Sequence, residues 1–349
     1  MTDIKSMTIE ELQAYVGSHG EPAYRAGQIF KRLHRDKVRS FDEMTELPKA
    51  FRERLRKDCV LPAFSVETMQ ESRIDGTRKY LFRLDDGNCI ESVLMQYHHG
   101  NSVCVSTQVG CRMGCRFCAS TIGGLIRNLT PAEILEEVYT IERDTAEPVT
   151  HIVLMGSGEP FDNYENVVRF LRLVTDPNGR NLSARHLTVS TSGIPDRIRA
   201  FAGEGIPVTL ALSLHASDDE TRRKLMPIAR KYPLSEVLSA CEDYFGQTGR
   251  RVTYEYAVVR DVNDSAEEAL KLSRLLKGKN AHVNLIPVNP VRERSLKRPD
   301  AAKVSEFQKN LEKSGINATI RRELGTDIDG ACGQLRAKAA RSEEDRQSS

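Results

Sequence analysis

Three cysteines fall within eight residues, in Gly110-Cys111-Arg112-Met113-Gly114-Cys115-Arg116-Phe117-Cys118. The spacing is C-x3-C-x2-C. Three thiolates on one short loop can hold three irons of a [4Fe–4S] cube and leave the fourth iron without a protein ligand. An open coordination position is where a metal does chemistry rather than hold structure. Gly110 and Gly114 let the backbone fold closely around such a group. A structural zinc site asks for four ligands, commonly two separated C-x2-C pairs, and the chain has no second pair.

The elements that must carry this loop form two regions. In the first ninety residues, Thr8 with Glu11 three positions on marks a capped helix start. A second helical stretch opens at Glu21-Pro22 and buries Ile29, Phe30 and Leu33; a third is expected from Met44 to Leu55, around a break at Pro48. A β segment follows at about 64–94, with hairpin turns at Asp75-Gly76 and Asp86-Gly87. Beyond it the pattern alternates. Strands are expected at 102–106, 151–155, 186–190, 208–214, 252–259, 282–288 and 318–321. Helices lie between them at 131–145, 164–175, 195–202, 234–245, 265–276 and 301–313. Thr130, Pro131 and Glu133 form a complete helix start. Such alternation means a parallel sheet with crossover helices. The fold class is α/β. A partial (β/α)6 barrel fits, and a doubly wound open sheet fits the same pattern. The expected domains are a helical accessory unit (1–62), a β connector (63–96), a core with a C-terminal catalytic segment (97–338) and a polar disordered tail (339–349).

C-x3-C-x2-C with Phe117 before the last cysteine resembles the radical S-adenosylmethionine (SAM) superfamily. That resemblance implies a partial (β/α)6 barrel and SAM chelated through its amino and carboxylate groups to the open iron. An electron from the cluster then cleaves SAM to a 5′-deoxyadenosyl radical. Met155-Gly156-Ser157-Gly158-Glu159-Pro160 looks like the superfamily's glycine–glutamate–proline motif, with Gly158 and Glu159 meeting the SAM amino group. Read from the residues alone, the glycines permit close approach and Glu159 can accept from an ammonium. Ser190, Ser213-Leu214-His215 and Asn289 fall at strand ends, where parallel α/β proteins bind ligands. The resemblance implies that they touch SAM's carboxylate, ribose and adenine.

Cys104 and Cys332 narrow the resemblance. Their segments, Cys104-Val-Ser-Thr-Gln-Val-Gly-Cys111 and Asp327-Ile-Asp-Gly-Ala-Cys332-Gly-Gln-Leu-Arg336, resemble the RlmN/Cfr family of RNA adenosine methyltransferases, on the RlmN side. So do Arg127-Asn-Leu-Thr130, His282-Val-Asn-Leu-Ile-Pro287 and Thr319-Ile-Arg-Arg322, and the likeness runs from about Glu21 to Lys338. It implies two SAM molecules per turnover. One methylates Cys332. The second yields the radical that takes hydrogen from the S-methyl group, and the methylene radical adds to the adenine ring. Glu91 matches the base that removes the ring proton. Cys104 then attacks Cys332, releasing the methylated base and leaving a transient disulfide. The implied product is 2-methyladenosine in 23S rRNA, in the peptidyl-transferase region, and in tRNA beside the anticodon. Flavodoxin or ferredoxin would supply electrons to a protein expected to be monomeric.

Two other readings stay open. A Cfr-type enzyme would methylate carbon 8 of the ribosomal adenosine. A non-catalytic RNA-binding protein would use the cysteines for a structural metal. Net charge is only +2, which excludes a global polycation. Residues 25–57 nevertheless hold eleven Lys or Arg against five Asp or Glu, so they are a candidate phosphate-contacting surface, as are Arg321, Arg322, Arg336 and Lys338. The sequence shows no signal peptide and no membrane-length apolar run, and the chain reads as cytoplasmic.

Overall fold

A computed structural model describes residues 1–289, 291 and 293–328. The expected tail at 339–349 lies outside them. The chain opens with a short strand, β1 (Thr2–Asp3), and three helices: α1 (Ile9–Ser18), α2 (Tyr24–His34) and α3 (Lys49–Asp58). The Thr8–Glu11 capping box at α1 forms as expected, with both reciprocal bonds made. The third helix differs from its expected start at Met44. Pro48, at ψ 140°, is its cap, and Phe41–Glu43 make a separate helical turn. Proline disfavours helical backbone in the residue before it, so the chain cannot run helically through Leu47.

After β2 (Cys59–Val60), which pairs with β1, come β3 (Ser65–Glu71), β4 (Arg78–Arg83), β5 (Cys89–Tyr97) and β6 (Gly100–Cys104). These four run antiparallel to one another. The hairpin β7 (Gln108–Gly110) and β8 (Leu125–Asn128) follows. The rest alternates: α4 (Pro131–Thr145), β9 (Val149–Leu154), α5 (Tyr164–Thr175), β10 (Leu187–Thr191), α6 (Pro195–Ala202), β11 (Thr209–Ser213), α7 (Asp219–Leu225), α8 (Leu234–Thr248), β12 (Val252–Val258), α9 (Ala266–Leu276), β13 (Ala281–Pro287), α10 (Ala301–Lys313) and β14 (Asn317–Ile320).

Among the described residues, ten strands form one sheet in the order β14-β13-β12-β11-β10-β9-β6-β5-β4-β3. From β6 to β14 every pairing is parallel. Each parallel strand is also laid down beside its predecessor. That order decides between the two architectures left open by the sequence. A doubly wound sheet reverses direction once and puts helices on both faces. Here all crossovers step the same way, and with a common right hand the helices cover one face, as in a barrel.

The register sorts the side chains by face. Under the helices lie Leu94, Val103, Ile152, Val189, Leu210, Tyr254 and Val283, all in the main core. The opposite face carries Thr188, Ser190, Ser213, Glu255, Asn284 and Thr319. A closed barrel fills its interior with Val, Ile and Leu. Across β10 to β14 this inner face is polar and suited to a ligand, while Val93, Met95, Cys104 and Val153 make an apolar patch on β5, β6 and β9.

Helix α4 is buried on nearly all sides between the sheet and the N-terminal helices. Four acidic residues go with it, and each has partners. Glu133 pairs with Arg127, Glu136 with Lys5 and Arg143, and Glu142 with Lys37 and Arg180; Glu137 accepts from Ser92 Oγ and the Ser106 N–H. Buried charge is tolerated only with such pairing, and Glu137, which has no cation beside it, is held protonated by burial. The result fastens the N-terminal helices to the core.

Candidate active site

The cysteine triplet is the loop of the β7–β8 hairpin, an element the sequence pattern did not show. Gly110 ends β7 at φ +75°, and a side chain there would overlap the Gly124 carbonyl oxygen, which accepts the Cys111 N–H at 2.9 Å. Gly114 takes φ +74° against Pro227. Thr121 Oγ1 donates to the carbonyls of Cys115 (3.1 Å) and Cys118 (2.9 Å), tightening the turn. The wall around the thiols is apolar, with Met113, Leu225, Met226, Val259 and Val288 packed against Cys111 and Cys115. Burial pushes the Cys111 thiol up to about 12, and Glu159 and Cys118 add to the effect; burial also raises Cys115, with Cys118 and Cys111 as the next causes. Three mutually repelling thiols in an apolar wall deprotonate only against a cation. No group of His, Cys, Asp or Glu among the described residues is arranged around one metal ion. A cluster puts each of three thiolates on a different iron and leaves the fourth iron open, whereas a structural zinc site asks for four ligands, so a three-cysteine loop suits a cluster.

The Gly156–Pro160 loop is zipped to the strand that leads into the triplet. Thr107 and Gln108 N–H groups both donate to the Ser157 carbonyl, and Gly156 N–H to that of Val105. A Cβ on Gly158, at φ +108°, would sit 2.6 Å from Gln108 Cβ. Glu159 is buried. Its carboxylate accepts from the Phe161 N–H (3.0 Å) and the Ser192 N–H (2.7 Å), and burial raises its pKa despite these bonds. It ties the ends of β9 and β10 together and keeps free lone pairs for an ammonium.

The other expected SAM contacts differ in setting. Ser190 and Ser213 are half-buried on the inner face. Leu214 is fully buried. His215 sits at φ +58° with its ring edge-on to Phe117, 4.6 Å between centroids. Its Nδ1 accepts the Ala257 N–H at 2.8 Å, which leaves the proton of a neutral ring on Nε2. Burial lowers its pKa to about 3. Asn289 is exposed, two residues past the end of β13, and accepts from Arg298 at 3.3 Å.

Glu91 and Cys104 come together. Val93 is the register partner of Cys104, and Glu91 lies two residues before Val93, hence on the same inner face. Both are buried. The Glu91 carbonyl accepts from Ser106 Oγ at 2.8 Å, so Glu91 is level with the mouth of the sheet. An exposed strand glutamate would have been the ordinary expectation. Lys79, on β4 opposite Val93, shares this face and is fully buried. Sequence reasoning missed it; alternation through Lys79 and Leu81 of the hairpin could have found it.

Cys332 lies outside the described residues. The segment before it is held in place. Leu324 packs against Val93, Met95 and Cys104. Gly325 N–H donates to Asp75 at 2.9 Å. Asp327 accepts from Ser72 Oγ at 2.6 Å and from the Arg73 N–H at 2.9 Å. Arg336 and Lys338 also lie outside the described residues. Within 25–57, Arg32 pairs with Asp36 and Arg56 with Asp42, so part of that positive charge is spent locally.

A singly wound parallel sheet with a three-cysteine loop and a Gly-x-Gly-Glu-Pro turn at its mouth defines a radical SAM enzyme. Residues 105–273 match the model of the radical SAM superfamily, and residues 2–61 match that of the ribosomal RNA large subunit methyltransferase N-terminal domain. The chain shares its fold with a radical SAM methyltransferase from Sphaerobacter thermophilus, at TM-score 0.91 and 43% identity, over 96% of this chain and 99% of that one. It is 57% identical to a protein of Lachnoclostridium phytofermentans named "Probable dual-specificity RNA methyltransferase RlmN", over 96% of this chain and 94% of the relative. A protein of the same name from Symbiobacterium thermophilum is 53% identical, over 97% and 92%. The chain belongs to the RlmN family of radical SAM RNA methyltransferases. Its cofactors are a [4Fe–4S] cluster and SAM. Among the described residues no helix is long and apolar enough to cross a membrane.

Proposed function

We propose that this enzyme forms 2-methyladenosine in 23S rRNA and in tRNA, with Cys332 carrying the methyl group as a thioether. Cys111, Cys115 and Cys118 hold the cluster, and Gly158, Glu159, Ser190, Ser213, Leu214, His215 and Asn289 hold SAM. When bound, the cluster and SAM supply a 5′-deoxyadenosyl radical. The protein's own residues do the rest. The polar inner face receives the splayed adenosine. Glu91 takes the ring proton. Cys104 attacks the Cys332 sulfur, the bond to the methylated base breaks, and a disulfide is left that an external two-electron dithiol reductant resets, while flavodoxin or ferredoxin supplies the electron to the cluster.

The observation that carries this reading is the shared face of Glu91 and Cys104, with Leu324 of the segment leading to Cys332 packed against Cys104. A base and a resolving thiol on one face, approached by the chain that bears a second thiol, match a reaction needing all three. In vitro methylation of rRNA and tRNA fragments, with the position mapped by mass spectrometry, tests it. Methylation at carbon 2 is expected, and Cys104→Ala should accumulate a protein–RNA crosslink. Methylation at carbon 8 would replace this reading with the Cfr-type one. Product formation by Cys332→Ala would sink the thioether route.

A further inference from the structure

Arg222 is fully buried, a rare state for a guanidinium. Its Nε donates to the Leu214 carbonyl at 3.2 Å, and Nη2 donates to those of Ser192 (2.6 Å) and Ser213 (3.3 Å). These bonds hold the ends of β10 and β11 at the mouth of the sheet. Nη1, with two N–H groups, has no partner among the described residues. No ion pair to Arg222 is formed among them either. The anionic groups whose fields reach it are, in order, Cys115, Asp219 and Cys241. A buried charge with neither a counter-ion nor a full set of acceptors is strongly unfavourable.

The helix that carries Arg222 says where the missing anion belongs. Leu225 and Met226, three and four residues on, share its helical face. Both pack against Cys111 and Cys115. The Arg116 N–H donates to the Leu225 carbonyl at 2.9 Å, and Gly114 lies against Pro227. Helix α7 and the turn after it are thus the floor of the cysteine loop, with Arg222 on the side facing it. Burial lowers the Arg222 pKa to about 10, with Cys115 as the first opposing cause, so the guanidinium stays charged at neutral pH.

We propose that Arg222 is the buried counter-charge of the iron–sulfur cluster, its free Nη1 directed at the anionic cluster surface beside Cys115, and that it makes one-electron reduction of that cluster easier. This rests on the assignment of Cys111, Cys115 and Cys118 as cluster ligands. The carboxylate of SAM is an anion of the same chemistry at the same mouth, and the two are separable. Reduction adds negative charge next to a fixed positive one. Removing the positive charge therefore moves the midpoint potential down.

The test is anaerobic potentiometry of the reconstituted holoenzyme without SAM, after iron and sulfide content have been measured. Wild-type protein that takes up no cluster would overturn the site assignment itself. With the cluster present, Arg222→Gln should lower the equilibrium constant for reduction at least tenfold, which is 59 mV for one electron. Arg222→Lys should recover most of it. An unchanged midpoint in Arg222→Gln overturns the proposal. An unchanged midpoint with weakened SAM binding also overturns it, and assigns Nη1 to the SAM carboxylate. Should Arg222→Gln fail to fold, wild-type holoenzyme labelled with 15N at the arginine Nη atoms decides. Pulsed EPR of the reduced cluster should show a 15N coupling that persists in Arg112→Lys, Arg116→Lys and Arg294→Lys, the other arginines at the cysteine loop; no coupling, or a coupling lost in one of these variants, overturns the proposal.

Discussion

Glu137 gives a sharp test of how the site is held. It is fully buried on α4, behind the sheet rather than in the site. One carboxyl oxygen accepts from Ser92 Oγ and from the Ser106 N–H at 2.9 Å; the other has no partner. Ser92 is the neighbour of Glu91. Ser106 Oγ donates to the Glu91 carbonyl and accepts the Ser157 N–H at 3.0 Å. The network thus joins the strand of Glu91, the strand of Cys104 and the Gly156–Pro160 loop. Glu137→Ala leaves two buried donors without an acceptor, at about 1–3 kcal/mol each, and opens a cavity. The expected loss is about 3–5 kcal/mol. Glu137→Gln keeps the acceptor oxygen and should fall within about 1 kcal/mol of wild type at pH 5. Burial, the first-named cause, holds the Glu137 pKa well above its ordinary value. In the unfolded chain it ionises near the usual 4.5, while the folded protein keeps its proton. Stability is therefore fullest below the unfolded pKa and falls as pH rises, until the folded pKa is reached. Each tenfold displacement of that proton equilibrium is about 1.4 kcal/mol. Glu137→Gln lacks this penalty, so it should gain on wild type between pH 5 and 7. Anaerobic urea denaturation followed by far-UV circular dichroism measures both. A glutamine variant that loses ground on wild type as pH rises would refute the reasoning.

Four further outcomes are expected. Lys5→Met strands the buried Glu136 with only Arg143 and Thr140, and should cost about 3 kcal/mol in urea denaturation, while Lys5→Met combined with Glu136→Gln recovers most of it. Gly158→Ala must place a Cβ against Gln108 at a backbone angle alanine rarely adopts, so SAM affinity by equilibrium dialysis should fall at least tenfold with iron content unchanged. His215 is held neutral at about 3, so its contribution to stability is complete above the unfolded value near 6.5 and is lost as pH falls. In His215→Asn the slope of stability between pH 6 and 4 should drop by about 1.4 kcal/mol per pH unit. Asp75→Ala frees the Gly325 N–H, and hydrogen exchange at 324–328 should quicken while less methylated RNA forms per 5′-deoxyadenosine released.

Seven parallel strands and six long helices were readable because each strand buries one face under helices and each helix shows a 3.6-residue stripe. Helix α4 is the clearest case, since Thr130, Pro131 and Glu133 mark its start in full. Helix α7 was missed. It has seven residues, dominated by charge, and its burial comes from packing under the cysteine loop rather than from its own pattern. Arg222 was lost with it. The β7–β8 hairpin was missed because three- and four-residue strands have too few positions to alternate. The cysteine triplet needs no neighbours to be noticed. Lys79 and Glu91, by contrast, become informative only through register, which relates strands without encoding itself in any one of them.

The antiparallel connector explains how Glu91 reaches the mouth of a parallel sheet. In a parallel strand, side chains near the reaction centre come from the C-terminal end, where the chain is about to leave for a helix. Successive ends are supplied by β9 to β13 and carry the residues assigned to SAM. The edge beside β6 would have no such supply, because the chain after Cys104 departs into the cysteine hairpin. Strand β5 runs the other way, so its N-terminal end lies at the mouth, and Glu91 is its third residue. Strand β4 then sets Lys79 opposite Val93, and the β3–β4 turn, at the far end of these strands from the mouth, receives Gly325 and Asp327. The connector therefore acts as the wall that brings Glu91, Cys104 and the approach to Cys332 to one edge. Moving Glu91 by one residue along β5 would turn its carboxylate into the helix-covered core. A single-residue deletion in the Asp86–Gly87 turn, by contrast, should leave cluster content and 5′-deoxyadenosine formation intact. If that deletion slips β5 against β6, RNA methylation is lost selectively; if methylation and SAM cleavage fall together, the wall is not separable from the SAM site.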